Sequence, residues 1–406
     1  MGRHFQTGAF VADPEEVKNR STALVTALVA IAACLASVLG LGGGAPASAR
    51  AKHLPLAYAV DMTGMPSAQN PSNPLSGGRW AVNTGYWDDL YPAYARATGT
   101  ARTYLAKAAL QPRALWFTIG NSGTSTTAVA DYIAAQQQGD PSVLVQLAIF
   151  GIWGYQGEGN RLKHPLTRKE KRAYRAWIQR VSTQVGNARV AIILEPDLAL
   201  TASRPDLPAS QRTKGAAARQ ALTRYAAQTF HDRNPQVAVY LDAGDADWLS
   251  TGQAVSVLRN SGVQYARGFA LGATHYSSTQ SDIDHGAQIV SALAAAGIRS
   301  HFVIDTADNG RPFTYAQFYA KHPAAKGNFF DNSFPCKNAG STVCNALGVP
   351  PTWRVASTAL PLSAAQKATA AQLVDSYLWF GRPWLKDQAT PFQEKKAILA
   401  GKYSPF

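Results

Sequence analysis

The sequence AIILEPDLALTAS, residues 191–203, decides how this chain is expected to fold. It begins with four apolar residues, a run too short for a surface helix, and the run stops at Glu195 and Asp197, which flank Pro196. A short run rich in Ile and Leu predicts a strand that is buried on both faces. In parallel α/β folds the loops after the strands carry the chemistry, because the strands hold those loops rigidly. Asp197 is therefore the first catalytic candidate.

Further apolar runs of the same kind lie along the chain, and helical patterns separate them. The predicted strands are 113–119, 143–150, 190–195, 237–242, 268–272, 302–305 and 376–380. Helices are predicted at 167–185, 214–230 and 283–296; the first has Tyr174, Ile178 and Val181 on one face. Strands that alternate with helices predict a parallel sheet. The expected fold is an α/β, distorted barrel of about seven parallel strands with outer helices.

The first 49 residues differ from the rest of the chain. Basic residues precede an apolar stretch at 23–41, and Ala47-Ser48-Ala49 provides a cleavage signature of small residues. These features predict a secretory signal peptide at 1–49 and a secreted protein; an uncleaved membrane anchor is the alternative. We expect an irregular lead-in at 50–76 and a catalytic domain at 77–406.

Composition narrows the classes of partner. The chain of 406 residues has a formal net charge of +14, and the predicted leader contributes as many acidic as basic residues. Such a charge could attract nucleic acid or anionic wall polymers. Apart from a cluster at 163–175, however, the basic residues are scattered, so we expect no nucleic-acid partner. Beyond the leader only Cys336 and Cys344 remain, and export predicts one disulfide between them.

Carboxylates follow several of the predicted strands and are expected at the same end of the sheet. They are Glu195 and Asp197, then Asp242, Asp245 and Asp247, then Asp305 and Asp308. A ring of acids suits general acid/base work, because crowded like charges separate the pKa values. Dispersed His residues and the absence of HExxH, paired-Cys and EF-hand motifs argue against a metal site, and no cofactor is expected. GxSxG, Walker and GxGxxG motifs are also absent.

Aromatic residues accompany these acids in the sequence, among them Trp116, Trp248, Tyr276, Trp379 and Trp384. The C–H faces of sugar rings stack on flat apolar rings, while sugar hydroxyls bind acids. Acids and aromatics without metal ligands therefore indicate a glycosidase.

An ordered set of motifs from Asn73 to about Asp387 resembles glycoside hydrolase family 6, the secreted cellobiohydrolases and endoglucanases. The motifs are Asn73-Pro74-Leu75 with Gly77, QPRALW at 111–116, LEPD at 194–197, YLDAG at 240–244 with Trp248, GFA at 268–270, FVIDT at 302–306 with Asn309-Gly310, Cys344-Asn345 with ALG at 346–348, and Leu378-Trp379. The resemblance implies a distorted parallel barrel and inverting hydrolysis of β-1,4-glucan, with a polysaccharide as the partner and a monomeric protein.

The resemblance also implies roles for individual residues. Asp197 matches the general acid, and Asp387 is the candidate base. Trp248 matches an aromatic platform on the leaving-group side, and Trp116 a stacking Trp on the other side. The full set of expected substrate-binding residues is Trp116, Asp242, Trp248, His275, Asn345 and Trp379.

Departures from the family pattern leave alternatives open. At 145–152, VQLAIFGI replaces the YNLPDRDC-like motif, so the Asp that supports the general acid is missing and Glu158 is the candidate replacement. Gly381 stands where the family has Lys. Glu195 is interpreted as a buried structural acid, Asp305 is either structural or functional, and Trp379 is either core or platform. The second hypothesis is therefore a catalytically weakened relative that binds glycans, or an enzyme for a different polysaccharide.

Overall fold

The computed structural model describes residues 60–62, 64–119, 128–154, 157–325, 330 and 334–406. The predicted signal peptide at 1–49 lies outside the described residues. Within the described parts of the chain, no helix is both long and apolar enough to cross a membrane.

A parallel sheet of seven strands forms the centre of the molecule, and each strand pairs with its sequence neighbours. The strands are β1 (Leu115–Thr118), β2 (Val145–Phe150), β3 (Val190–Leu194), β4 (Val237–Asp242), β5 (Gly268–Leu271), β6 (His301–Asp305) and β7 (Val374–Leu378). The seven predicted strands are therefore confirmed, and each end of each strand lies within two residues of its predicted position.

The sheet curls until its first and last strands approach each other. The amide of Ala114 donates to the carbonyl of Trp379 over 2.8 Å, and the indole Nε1 of Trp116 donates to the carbonyl of Phe380 over 2.8 Å. In the described chain these bonds link β1 to β7 without a strand ladder. The predicted distorted barrel is confirmed.

Helices cover the outside of the barrel. They are α1 (Leu90–Arg96), α2 (Gly99–Ala109), α3 (Val129–Gln137), α4 (Arg168–Val185), α5 (Ala216–Arg233), α6 (Thr251–Asn260), α7 (Thr279–Ala295), α8 (Tyr315–Lys321), α9 (Ala364–Leu373) and α10 (Glu394–Lys402). Thr167 and Glu170 form a capping box that starts α4 at the predicted place.

The strands are apolar on both faces because each face meets a different core. In β3, Ala191 and Ile193 point into the barrel, where every strand contributes to one cluster with Trp116 and Tyr240. Ile192 and Leu194 point outward and pack against the helices. The continuous apolar run of β3 thus reflects burial on both of its faces.

A polar network closes the barrel at the N-terminal ends of the strands. The buried carboxylate of Asp375 accepts from Arg267 Nε and Nη2 at 2.8 and 2.9 Å, from Asn70 Nδ2 at 2.8 Å and from the Tyr240 hydroxyl at 2.7 Å. Asn70 belongs to the lead-in, so this segment packs across the closed end. Functional groups are therefore expected at the opposite end.

Candidate active site

The loops at the C-terminal ends of the strands contain most of the predicted site residues, and Glu195 organises the first of them. Its Oε2 accepts from the amides of Gly151 and Ile152 at 2.8 and 3.0 Å, and its Oε1 accepts from the Tyr174 hydroxyl at 2.6 Å. Glu195 is fully buried, and burial raises its pKa from 4.5 to about 7 against these three donors. It is a structural acid, as the sequence indicated, and it ties the loop after β2 to the end of β3.

Asp197 lies two residues further, in a strained and partly exposed turn. The φ angles of Glu195 and Asp197 are +58° and +69°, in the left-handed region that non-glycine residues seldom adopt. The amide of Leu198 donates to the carbonyl of Glu195 at 3.0 Å and begins a 3₁₀ turn, Leu198–Thr201. Strain of this kind clusters at functional sites because the surroundings must enforce it. Here the buried Glu195 supplies that support.

Asp242, at the end of β4, accepts a hydrogen bond from the 3₁₀ turn that follows Asp197. Its Oδ2 accepts from the amide of Ala199 at 3.3 Å, and its Oδ1 accepts from the amide of Gly244 at 3.2 Å. Burial raises the pKa of Asp242 to about 7, and Asp245 nearby adds to the rise. The predicted substrate-binding acid is fully buried and supports the turn that holds Asp197.

A pair of buried acids follows β6. Asp305 accepts from the amides of Ala307 at 3.0 Å and Thr274 at 3.3 Å, and also from the amide of Gly381. Burial raises its pKa to about 7, whereas burial and the charge of Asp305 raise the pKa of Asp308 far above its usual range. A Cβ at Gly381 would lie 2.8 Å from Asp305 Oδ2 and 2.9 Å from Asp308 Oδ1, so any side chain at this position would require these two carboxylates to shift.

The segment that contains Asp387 is fastened to this acid pair. Gln388 donates to Asp308 and, over 2.9 Å, to the carbonyl of Thr274. Asp387 and Gln388 have φ angles of +49° and +55°, and Asp387 is partly exposed. Asp387 also opposes the fall in the pKa of Lys396, which burial lowers to about 8. A second partly exposed acid thus occupies a strained turn at the same end of the barrel.

Trp248 and His275 form an aromatic wall beside the loops after β4 and β5. Their rings lie 4.8 Å apart between centroids, and both residues are partly buried. The Nδ1 of His275 lies 3.8 Å from Oδ2 of the buried Asp245. The structure therefore brings two predicted substrate-binding residues together.

Trp116 is held at the mouth, but another side chain covers it. The guanidinium carbon of Arg382 lies 3.8 Å from the centre of the Trp116 ring, a cation–π distance, and Trp116 is only 6% exposed. Arg382 must move before a sugar can stack on the covered face of the ring. Arg382 was not predicted as a site residue from the sequence. The only indication was a basic residue two positions after the predicted strand at 376–380.

Trp379 and Asn345 do not form an exposed platform. Trp379 is 1% exposed and packs among residues of α1, α2 and α10, and its Nε1 donates to the carbonyl of Val349 over 2.9 Å. Of the two interpretations that the sequence left open for Trp379, the structure favours the core, because the ring packs in the outer core and has almost no exposed surface. Asn345 is also buried, and its side-chain amide has no hydrogen-bond partner among the described residues.

The loop after β2, where the family motif is lost, is supported by a cation that the sequence analysis missed. Arg219 of α5 is fully buried, stacks 4.9 Å from the ring centre of Trp153 and donates to the carbonyl of Ile152. Burial lowers its pKa to about 10, against the charges of Glu170 and Glu195. Its position within a helical pattern gave no sign of this contact. The side chain of Glu158, the candidate replacement acid, lies outside the described residues.

Two further predictions concern cysteines and metals. Cys336 and Cys344 form the predicted disulfide, which closes the loop before Asn345. Among the described His, Cys, Asp and Glu residues, no group of three or more is arranged to hold a metal ion. The acids of the barrel mouth instead bind backbone amides.

Comparisons with known proteins agree with this architecture. Residues 76–387 match the family described as Glycosyl hydrolases family 6. The chain is 33% identical over 226 residues to endoglucanase A of Cellulomonas fimi, a match covering 54% of this chain and 44% of that protein. It is 28% identical over 261 residues to endoglucanase 1 of Streptomyces halstedii, covering 63% of this chain and 73% of that protein.

A solved structure shares the fold over the described barrel. The endoglucanase Cel6 from Mycobacterium tuberculosis, in complex with methyl-cellobiosyl-4-deoxy-4-thio-β-D-cellobioside, superposes with a TM-score of 0.59 at 27% identity. That match covers 82% of this chain and 100% of the other. With the family match extending over most of its length, this chain belongs to glycosyl hydrolases family 6.

Proposed function

We propose that this protein is a secreted glycosidase that hydrolyses β-1,4-glucan with inversion, with Asp197 as the general acid. The observation that carries the proposal is the turn of Asp197, which is partly exposed, strained, and supported on two sides by Glu195 and Asp242. Relatives named as endoglucanases support the substrate class. The predicted leader at 1–49 supports secretion.

Inversion requires a second acid that activates water on the opposite face of the sugar. Asp387 is the favoured base, because it is the partly exposed acid of the segment that Gln388 fastens to the loops after β5 and β6. For an inverting pair, the carboxyl groups of Asp197 and Asp387 should lie roughly 6.5 to 9.5 Å apart with substrate bound. The glycan would run past Trp248 and His275 on the leaving-group side.

Substitution of Asp197 tests its assignment as the general acid. Asp197→Asn should lower the rate of release of reducing ends from soluble β-glucan by about 10² to 10⁴, because general acid catalysis contributes that range. Oligosaccharide binding should remain, since the amide keeps the shape of the side chain. Asp232→Asn, at an exposed position of α5, is the matched control. Hydrolysis at the parent rate by Asp197→Asn would remove Asp197 from the mechanism.

The second candidate function is glycan binding with weak or no turnover. Two observations favour it: the lost motif in the loop after β2, and Arg382 on the ring of Trp116. Binding of β-glucan without new reducing ends would support this alternative. Inverted anomeric product from the parent protein, measured by NMR during hydrolysis, would support the first function.

A further inference from the structure

The first half of α4, with the loop before it, carries a cluster of positive charges outside the candidate active site. Between 163 and 175 the chain has six basic residues and one acid, Glu170. The basic side chains are exposed, except that of Lys171, which is partly buried. Because an ordinary solvated helix face also carries charges, the arrangement of these charges must distinguish the two cases. We call this set the basic surface: Lys163, Arg168, Lys169, Lys171, Arg172 and Arg175.

The arrangement of these charges does not stabilise α4. Residues three and four apart share a helix face, and the basic pairs at these spacings are 168 with 171 and 172, 169 with 172, and 175 with 171 and 172. Each like-charge pair lowers helix stability, whereas a solvated face usually alternates acids and bases. Arg168 and Lys169 also occupy the first turn, next to the positive pole of the helix dipole, which disfavours cations. Helix stability therefore does not explain this cluster.

Nearby acids do not neutralise the basic surface. Among the described residues, none of its six cations forms an ion pair. The carboxylate of Glu170 turns back to the start of α4, where Oε2 accepts from the amide and from the hydroxyl of Thr167 at 2.8 Å each. The guanidinium carbon of Arg175 lies 4.4 Å from the ring centre of Tyr225 on α5, a cation–π contact that holds this cation at the surface. A positive field therefore extends from this helix into solvent.

The basic surface lies at the same end of the barrel as the candidate active site. The hydroxyl of Tyr174, on the inner face of α4, donates to Glu195 over 2.6 Å, so this half of the helix stands beside the loops of the barrel mouth. The outer face of the same turns presents three exposed guanidinium groups, which span about 10 Å along the helix axis. They belong to Arg168, Arg172 and Arg175. One extended polymer can therefore contact all three.

The composition of the basic surface distinguishes between classes of anionic partner. A helix that binds membranes also needs exposed apolar side chains, and a site for single-stranded nucleic acid needs exposed rings for stacking. The large exposed apolar groups of the described chain lie elsewhere than in α4 or the loop before it: Met65, Tyr86, Tyr315 and Phe334. Guanidinium groups instead bind carboxylates through paired hydrogen bonds. The predicted leader would place the protein outside the cell, where carboxylated polysaccharides are common linear polyanions.

We propose that the basic surface is a docking site for a linear acidic polysaccharide whose sugars carry carboxylates. This inference goes beyond the proposed function, because the docked chain is bound outside the barrel mouth and is not the glycan that is cleaved. A polymer with many carboxylates contacts several of the cations at once, so weak individual contacts add up. Docking keeps the barrel mouth close to neutral glucan that is mixed with the acidic polymer.

Binding of polygalacturonate, a polymer of uronate sugars, tests the docking site. The parent should bind this polymer in calorimetric titration at low ionic strength, and binding should weaken as NaCl is added, because salt screens exposed charges. The triple substitution of Arg168, Lys169 and Arg172 by Gln should weaken the affinity by roughly 3- to 100-fold, the range expected for three exposed ion pairs. Arg172→Gln alone should show a smaller loss in the same direction.

The matched control removes the same charge from exposed positions outside the basic surface. It is the triple substitution of Arg299, Lys367 and Lys395 by Gln, and it should bind polygalacturonate with an affinity close to that of the parent. Urea unfolding separates binding from folding. The triple variant of the basic surface should be at least as stable as the parent, because it removes like-charge pairs from α4.

Three results would overturn the docking site. The first is a parent that shows no salt-sensitive binding of polygalacturonate. The second is an equal loss of affinity in both triple variants, because net charge alone would then explain the binding. The third is tighter binding of double-stranded DNA, or of vesicles that contain an anionic phospholipid, than of polygalacturonate, because the partner would then belong to another class.

Hydrolysis of neutral β-glucan by the parent tests the proposed function separately. Hydrolysis without binding of polygalacturonate would remove this inference and leave the proposed function standing. Binding of polygalacturonate that depends on the basic surface, in a protein that does not hydrolyse β-glucan, would support this inference while the proposed function fails.

Discussion

The buried Glu195 makes the stability of this protein depend on pH in a predictable direction. Its pKa rises from 4.5 to about 7 because burial removes the charged form from water. Below pH 4.5 Glu195 is protonated in both the folded and the unfolded chain, so its ionisation does not lower the free energy of unfolding. As the pH rises from 4.5 to about 7, the unfolded chain releases the proton, whereas the folded chain keeps it because ionisation would place a charge in a buried site. Folding therefore loses stability across this window.

The size of this loss follows from the two pKa values. Each pH unit between 4.5 and about 7 is worth about 1.4 kcal/mol, so Glu195 removes about 3 kcal/mol from the free energy of unfolding by pH 8. Glu195→Gln should abolish that loss. Its amide oxygen can still accept from Gly151 and Ile152, and its amide nitrogen can donate to the hydroxyl of Tyr174, so the contacts remain.

Urea unfolding of parent and variant at pH 4.5, 6 and 8 measures the effect. The free energy of unfolding of the parent, minus that of Glu195→Gln, should fall by about 3 kcal/mol from pH 4.5 to pH 8. Glu170→Gln is the control with the opposite sign: partial burial would raise the pKa of Glu170, but hydrogen bonds from Thr167 lower it below its usual value. The free energy of unfolding of the parent, minus that of Glu170→Gln, should therefore rise with pH. Parallel curves for parent and Glu195→Gln would refute the reasoning.

Two more predictions concern Trp379 of the outer core and Trp248 and Trp116 near the candidate site. Trp379→Ala should lower the free energy of unfolding by about 3 to 5 kcal/mol, measured by urea titration, because the ring is buried in the outer core. Trp248→Ala should lower the free energy of unfolding by less and should mainly weaken oligosaccharide binding. A larger loss of stability in Trp248→Ala than in Trp379→Ala would contradict the placement of these two rings. Arg382→Ala should uncover Trp116 and strengthen the binding of cellotetraose by roughly two- to tenfold, measured by calorimetry with Arg382→Lys as the control. Weaker binding would instead show that the guanidinium itself contacts the glycan.

Much of the fold could be predicted because the strands of this barrel are buried on both faces. Their runs of Val, Ile and Leu differ from the amphipathic helices, and the helix at 167–185 carried both its apolar face and its capping residues. Seven of the ten helices in the described chain were not predicted, and none of them is longer than 11 residues: α1, α2, α3, α6, α8, α9 and α10. A helix of this length shows too few turns for periodicity to be recognised, and its position is set by the contacts it makes.

The candidate site was harder to predict, since its acids look alike in sequence. Asp242 and Asp305 end strands in the same way that Glu195 and Asp197 follow one, yet Asp242 and Asp305 are buried, and each accepts from a backbone amide of another loop, Ala199 and Thr274 respectively. Such partners are distant in sequence and leave no local pattern. The case of Trp379 is similar: β7 ends at Leu378, so the next ring turns outward onto α1 and α2.

Burial provides a physical criterion for choosing among these acids. Glu195, Asp242, Asp305 and Asp308 are buried, and most of their oxygens accept from groups that hold the loops in place. A catalytic acid must exchange its proton with a substrate atom, which requires a side chain that substrate can reach. Asp197 and the segment of Asp387 meet this requirement, and both residues occupy left-handed turns that their buried neighbours stabilise. If Asp197 and Asp387 are the catalytic pair, the buried acids fix the positions of these two partly exposed side chains, and substitutions that loosen the buried acids should reduce turnover before they reduce glycan binding.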